Sequence, residues 1–193
     1  MAKDPDSKEK TVLAAAKLLS QQGYHGTALN DILGAAGSPR GSLYFHFPRG
    51  KEEIGEAALA LVAERVGRMF TEAAEVAQSA EDFVVRLVRS MAAALEHSDF
   101  KDGCPIAVTA LETGVQSEAL CVATRNAFRK WESEIKRGLQ RFGMKAAVAD
   151  FLASTVLSQI EGALLLARTY RDLEPLRRAE RAVKLLVGAK RFK

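Results

Sequence analysis

Residues 38–47 read Ser-Pro-Arg-Gly-Ser-Leu-Tyr-Phe-His-Phe, SPRGSLYFHF, and concentrate a glycine, a proline, a cation and several aromatic rings in one short stretch. Ser38 is predicted to cap a helix, because its hydroxyl can accept from the first backbone amides. Pro39 is predicted to be the first helical residue, because this position does not need the N–H that proline lacks. The ring of Pro48 ends the helix at or before Phe47. The stretch is therefore predicted to be a helix of barely two turns, too short to bury all of its sides.

Helices are also predicted on both sides of this stretch. A first helix spans about residues 7–22, and a second spans about residues 27–36, with Thr27 as its predicted N-cap. Gly37 follows as the turn residue, because glycine tolerates a left-handed backbone. A longer helix opens at Lys51. Every other segment of more than ten residues also has a helical period, so the predicted fold is all-α.

Helix, glycine turn and short helix form the helix-turn-helix arrangement, in which the second helix enters the DNA major groove. Leu43 and Phe47 are four residues apart and are predicted to face inward. Arg40, Tyr44 and His46 then share the outward side. An arginine suits the O6 and N7 atoms of guanine, whereas a tyrosine and a histidine suit phosphate oxygens.

Three further residues complete this predicted surface. Gly41 lets the backbone approach the groove, and Ser42 can donate to a base edge or a phosphate. Lys51 adds a cation at a helix start, where the backbone amides also attract an anion. The competing interpretation makes the aromatic residues the core of a three-helix unit. We accept that interpretation for Leu43 and Phe47, and a purely structural role is the alternative for His46.

Charge is unevenly distributed along the 193 residues, whose formal net charge is +4. Residues 1–51 hold seven basic and four acidic side chains, residues 52–167 hold twelve and seventeen, and residues 168–193 hold nine and three. Basic ends favour a polyanionic partner, although a solvated surface has the same composition. With 48% hydrophobic and 27% charged residues, we expect a soluble cytoplasmic protein without a secretory signal or a membrane partner.

The sequence contains little that supports catalysis or metal binding. Cys104 and Cys121 lack CxxC spacing and paired histidines, so we expect buried thiols and neither a metal nor a cofactor. No HExxH, GxSxG or P-loop motif occurs, and we therefore expect no enzyme.

Residues 11–59 resemble the tetracycline-repressor (TetR) family through the helix stop at Gly23 and Tyr24, the pairs LY and HF inside SPRGSLYFHF, and Lys51. The sequence departs from the common pattern at Leu33, Gly34 and Pro39, and Ser38 is expected to take over the cap from Pro39. The resemblance implies a set of DNA-contacting positions. This set, with Ser38 added, is Thr27, Ser38, Arg40, Gly41, Ser42, Tyr44, His46 and Lys51.

The resemblance also implies that an N-terminal three-helix DNA-binding domain is fused to a larger helical bundle that dimerises and encloses a ligand pocket. We assign residues 1–51 to the first domain and residues 52–193 to the second, with the fourth helix linking them. GCPIAVTALE, residues 103–112, and EGALLLAR, residues 161–168, resemble the branch of YxaF-like and multidrug-pump repressors. Independently, the apolar stripes of the last two helices are wider than one partner needs, which favours a homodimer.

Large apolar residues with a few polar ones are candidates for an effector cavity, although tight core packing is the better interpretation at each single position. Trp131 and Glu161 have the strongest case, because an acid among apolar residues needs a reason. The candidates are Phe70, Phe83, Leu87, Met91, Ile106, Thr109, Phe128, Trp131, Leu157 and Glu161. The predicted function is a dimeric repressor released from a near-palindromic double-stranded operator by a small hydrophobic or aromatic effector. The alternative is a ligand-independent DNA-binding regulator with a collapsed pocket.

Overall fold

The computed structural model describes residues 6–114 and 116–189, and the helices in these ranges are joined by short turns. No strand occurs among these described residues, which confirms the predicted all-α fold. The helices are α1 (Asp6–Gln22), α2 (Leu29–Ala36), α3 (Arg40–His46), α4 (Lys51–Val76), α5 (Ala80–His97), α6 (Pro105–Thr113), α7 (Glu118–Arg141), α8 (Ala146–Tyr170) and α9 (Glu174–Gly188).

Packing divides the chain into two compact units. The first comprises Met1–Glu64 and Cys104–Ala127, and the second comprises Arg65–Gly103 and Phe128–Lys193. Helix α6 thus belongs with the N-terminal helices by its contacts, although it lies far from them in sequence. These units follow packing, whereas the predicted division at residue 51 concerns function and stays a prediction.

The core of the first unit joins α1, α2, α3 and the start of α4. Its buried side chains come from all four helices at helical spacing, which leaves each helix one solvated side. They are Ala15, Leu19, Ile32, Leu33, Leu43, Phe47, Ile54 and Ala58. Burying this common core holds the short α3 in place, since seven residues would not stay helical on their own.

In the second unit, α5, α8 and α9 pack against one another. Phe83 of α5 also lies close to α7, because a Cβ atom built on Gly138 would lie 2.3 Å from the Phe83 Cζ atom. Only a glycine at position 138 allows this approach of ring and backbone.

Helix α8 is the described helix that is long and apolar enough to cross a membrane by composition. That is weak support for a span, because the core helix of a folded unit passes the same test. In this structure 44% of its most apolar stretch is buried, and the helix packs against α5 and α9.

Two predicted helix starts are wrong. Helix α2 begins at Leu29, and Ala28 rather than Thr27 occupies its N-cap. The Thr27 hydroxyl donates to the Gly23 carbonyl oxygen at 2.6 Å, which ties it to the preceding turn. The Asp31 carboxylate accepts from the Ala28 N–H instead, at 3.2 Å.

Helix α3 begins at Arg40, and Pro39 rather than Ser38 occupies its N-cap. The Ser38 hydroxyl lies 3.1 Å from the hydroxyls of both Ser7 and Thr11, so it ties the turn to α1. The predicted end of this helix is confirmed, since α3 stops at His46.

Candidate nucleic-acid interface

A tight turn joins α2 to α3. Gly37 has φ of 61° in the left-handed region, as predicted, and its N–H donates to the Gly34 carbonyl oxygen at 3.2 Å. The Ser38 N–H donates to the Leu33 carbonyl oxygen at 3.1 Å. These two bonds satisfy the last carbonyls of α2 and set the direction in which the chain enters α3.

Helix α3 has one buried side and one exposed side. Leu43 and Phe47 are buried in the core of the first unit, as predicted. Arg40, Gly41 and Tyr44 are exposed, and Tyr44 retains 64% of its accessible surface. The residues predicted to meet DNA at these three positions therefore lie at the surface.

Phe45 and His46 extend the exposed side of α3. Phe45 is 67% exposed, and the half-buried His46 ring meets it edge to face with 5.2 Å between ring centroids. Phe45 is not among the residues predicted from the sequence to meet DNA. Its position beside Tyr44, off the inward stripe of Leu43 and Phe47, is the signal that could have placed it outside.

Arg40 is held from the side by α2. Its Nε donates to the Asn30 side-chain oxygen at 3.1 Å, and its Nη2 donates to the same oxygen. Both residues are exposed. Asn30 was not among the residues predicted from the sequence.

Three of the residues predicted to contact DNA are less accessible to solvent. Thr27 is fully buried, and the hydroxyls of Thr27 and Ser38 are engaged within the first unit as described above. Lys51 is half-buried, with its Nζ 4.1 Å from the centroid of the Tyr24 ring. The Ser42 side chain lies outside the described residues.

The surroundings of Lys51 shift two pKa values. Burial lowers the pKa of the Lys51 ammonium, and the Glu112 carboxylate opposes that shift. Burial raises the pKa of the Tyr24 hydroxyl, and the carboxylates of Glu52 and Glu56 raise it further. Stacking on Tyr24 gives the ammonium a favourable contact in a place where it loses water.

Glu112 of α6 fastens that helix to the end of α1. Its carboxylate accepts from the N–H groups of Tyr24 and His25 at 2.6 and 3.0 Å. The chain bends there at Gly23, whose φ is 76° and whose Cβ, if present, would lie 2.4 Å from the Glu112 Oε1 atom. A displacement of α6 would therefore act on the segment that leads into α2.

The predicted effector residues lie in both units. In the second unit the Trp131 ring is nearly fully buried between Phe70 and Phe128, with centroid distances of 6.4 and 5.7 Å. Phe83, Leu87 and Leu157 are buried there too, whereas Met91, Phe128 and Glu161 are half-buried. Ile106 and Thr109 are buried in the first unit.

The Thr109 hydroxyl differs from the other buried hydroxyl groups in its hydrogen bonding. It is fully buried and has no hydrogen-bond partner among the residues that the structure describes. Thr113, one turn further along α6, shows the usual arrangement, because its hydroxyl donates to the Thr109 carbonyl oxygen at 2.7 Å. An unpaired buried hydroxyl costs free energy, so its retention favours a role.

Three open depressions described on the second unit have volumes of about 340, 420 and 510 Å³. Met69 and Arg86 belong to the largest of the three. None of the predicted effector residues lines these three depressions.

A buried core shared by α1, α2, α3 and the start of α4, with the short α3 exposed on one side after a glycine turn, is the arrangement of a helix-turn-helix DNA-binding regulator. Residues 12–58 match the family model described as bacterial regulatory proteins, tetR family. Residues 80–182, more than half of the chain, match the C-terminal domain of LmrA/YxaF-like transcriptional regulators. The chain belongs to the TetR family of transcriptional regulators, and its C-terminal part is of the LmrA/YxaF-like type.

Similar proteins support the assignment over nearly the whole chain. The chain is 32% identical to the HTH-type transcriptional regulator LmrA of Bacillus subtilis, over 89% of this chain and 91% of that protein. It is 31% identical to the uncharacterised regulator YxaF of the same organism, over 96% and 97%. The fold matches that of a TetR regulator from Legionella pneumophila with a TM-score of 0.83, at 21% identity over 96% and 98% of the two chains.

Proposed function

We propose that two copies of this DNA-binding regulator occupy a near-palindromic operator and repress transcription, and that a small hydrophobic or aromatic effector releases them. One observation carries the proposal: Leu43 of α3 and Phe47 directly after it are buried, whereas Arg40 and Tyr44 of the same short helix are exposed. A helix of this size fits the major groove, which is about 12 Å wide.

Each exposed residue of α3 has a chemistry that suits one part of the duplex. Arg40 forks onto guanine, and Tyr44 and His46 hold phosphate oxygens that fix the register. Gly41 leaves space for close approach. We add Phe45 to this set, because an exposed aromatic ring in the groove suits the thymine methyl group.

Thr27, Ser38 and Lys51 contribute in a second way. The hydroxyls of Thr27 and Ser38 fix the end of α1 and the turn before α3, so their effect on DNA binding is to position α3. The Lys51 ammonium remains half-exposed beside Tyr24 and can be shared with a phosphate.

Exposed apolar residues on α8 support the homodimer. Phe151, Leu165 and Leu166 are 57%, 62% and 45% exposed, and a Cβ atom built on Gly162 would meet nothing within 4 Å. Such a surface suits close packing against a second copy about a twofold axis. Two copies of α3 would then meet half-sites roughly 34 Å apart, which is one helical turn of DNA.

Release by an effector requires that the effector prefer the conformation that does not bind DNA. A preference of about 3 kcal/mol loosens the operator by about two orders of magnitude. Glu112 supports a path for this effect. Helix α6 carries both its contact with Tyr24 and His25 and the Thr109 hydroxyl, which has no hydrogen-bond partner among the described residues.

A ligand-independent regulator is the second candidate, and one observation favours it. Phe83 packs tightly on Gly138, and Trp131 is 2% exposed between two other rings. Tight packing of these rings favours a regulator that does not bind an effector among them.

A gel shift tests both candidates. The probe is the intergenic DNA beside the gene for this protein, with scrambled DNA as competitor and a panel of hydrophobic and aromatic compounds. We expect the wild type to shift the probe, Arg40→Ala to lose its preference for the probe over scrambled DNA, and at least one compound to release it. Binding by Arg40→Ala equal to that of the wild type would refute the assignment of α3. Failure of every compound both to release DNA and to stabilise the dimer would favour the ligand-independent candidate.

A further inference from the structure

The contact between Asn30 and Arg40 uses one particular edge of the arginine. The Nε–H and the nearer Nη2–H lie along one side of the planar guanidinium group, and both point at the Asn30 oxygen. A second, terminal edge consists of an Nη1–H and the remaining Nη2–H. Because the group is rigid, fixing the first edge on α2 also fixes the direction of the second.

The second edge can read guanine while the first is held by Asn30. Two parallel N–H donors match the O6 and N7 acceptors of that base in the major groove. Arg40 is the first residue of α3, and Tyr44 follows it one turn later on the same exposed side. The fork held by Asn30 therefore belongs to the surface that the proposed function places in the groove.

The Asn30 side chain is uncharged, which suits it to hold an arginine that binds DNA. Arg49 lies 2.6 Å from a carboxylate oxygen of Glu56, and Arg89 lies 2.8 Å from one of Glu180, so each of these cations is paired with an acid. Asn30 restrains Arg40 without adding a negative charge. The contact itself therefore leaves the positive charge of Arg40 available to DNA.

We propose that Asn30 is a positioning residue for base recognition: it holds Arg40 so that the outer guanidinium edge reads one guanine in each operator half-site. The inference rests on the proposed function, because it needs α3 to lie in the major groove. A long side chain that is already ordered loses less entropy when it binds. This advantage corresponds to about 2- to 12-fold in affinity.

The test compares full-length variants by selection from randomised duplexes, followed by sequencing of the bound DNA. Dissociation constants are then measured on the best duplex, on its single-base substitutions and on scrambled DNA over a range of salt. The variants are Arg40→Ala, Asn30→Ala, Asn30→Asp and Asn126→Ala. Asn126 is an exposed helical asparagine elsewhere in the first unit, so its replacement is the matched control.

We expect Arg40→Ala to lose a preference of about 5- to 150-fold for one guanine per half-site. Asn30→Ala should lose about 2- to 12-fold of the preference at that same base pair, with unchanged binding to scrambled DNA and an unchanged salt dependence. Asn30→Asp keeps an oxygen acceptor, so it should retain the guanine preference and bind every duplex more weakly. Asn126→Ala should behave like the wild type.

Two results would overturn the role of Asn30 while leaving the proposed function intact. In the first, Arg40→Ala loses the guanine and Asn30→Ala keeps it in full. In the second, Asn30→Ala changes the preference at a different base pair, which would make Asn30 a base contact in its own right. If the wild type selects no sequence, the proposed function fails together with this inference. Alanine is a better helix former than asparagine, so a folding defect is not expected for Asn30→Ala, and thermal melting checks this.

Discussion

At the scale of single residues, Tyr44 allows the cleanest test of a phosphate contact. Tyr44→Phe removes only the hydroxyl from an exposed ring. We expect binding to weaken about 2- to 12-fold on operator and on scrambled DNA alike, because one hydrogen bond to the backbone contributes about 0.5–1.5 kcal/mol. The salt dependence should not change, since no charge is removed.

Tyr170→Phe is the matched control for that measurement, because Tyr170 is also 64% exposed but lies at the end of α8. Fluorescence anisotropy with labelled duplexes at several salt concentrations gives all the required constants. A loss confined to the operator sequence would mean that Tyr44 reads a base rather than a phosphate.

The sequence predicted which residues of α3 face outward but not what holds them. The i, i+4 spacing of Leu43 and Phe47 predicted the buried side of this segment. Spacing alone does not place Arg40 and Tyr44 outside, because with those two residues they form one i, i+3, i+4, i+7 stripe. Their exposure was predicted from their polar groups and from a helix too short to bury all of its sides. The bond from Arg40 to Asn30 joins two helices, and its existence depends on their packing. Thr27 shows the same limit, since a hydroxyl suited to capping α2 bonds instead to Gly23 of the preceding turn.

At the scale of elements, the contact between α6 and the end of α1 should be visible in hydrogen exchange. Glu112→Ala removes the carboxylate that accepts from the Tyr24 and His25 N–H groups. We expect these two amides to exchange about 10- to 150-fold faster, because hydrogen bonds to charged groups contribute about 1.5–3 kcal/mol.

Glu75→Ala provides the comparison, as Glu75 is an exposed glutamate near the end of α4 in the second unit. Exchange at Tyr24 and His25 should match the wild type in that variant. Equal exchange rates in Glu112→Ala and the wild type would show that the carboxylate does not hold α6 to this turn in solution.

Helix ends were more predictable than helix starts for a physical reason. A glycine or a proline stops a helix through its own backbone, so Gly37 and Pro48 marked the ends of α2 and α3 correctly. A start depends on which polar group captures the first amides, and several candidates compete. At α2 the Asp31 carboxylate reached the Ala28 amide, and Thr27 was engaged elsewhere.

At the scale of the whole molecule, the proposed dimer predicts that a charge on the exposed side of α8 separates the two copies. Leu165→Glu places a carboxylate at a residue that is 62% exposed in the single chain. We expect a monomer in sedimentation and loss of high-affinity operator binding, because a buried unpaired charge is strongly unfavourable.

Leu111→Glu is the control for the dimer, since Leu111 lies on α6 and is 86% exposed. That variant should remain dimeric and bind the operator. A monomeric Leu111→Glu beside a dimeric Leu165→Glu would move the interface away from α8.

The proposed effector response can be tested through Thr109, because its hydroxyl should affect the free and the bound protein in opposite directions. Thr109→Val keeps the shape of the side chain and removes a buried hydroxyl that has no hydrogen-bond partner among the described residues. We expect the free energy of unfolding of the free protein to rise by about 1–3 kcal/mol, since the cost of the unpaired group disappears. If an effector accepts a hydrogen bond from this hydroxyl, the same variant should need about 2- to 12-fold more of a releasing compound to free the operator.

Thr113→Val is the control on the same helix: its hydroxyl is paired with the Thr109 carbonyl oxygen, so its loss should not stabilise the protein. Urea unfolding and operator release by one compound give both quantities, and a Thr109→Val protein that is less stable than the wild type would show that the hydroxyl is already satisfied in solution.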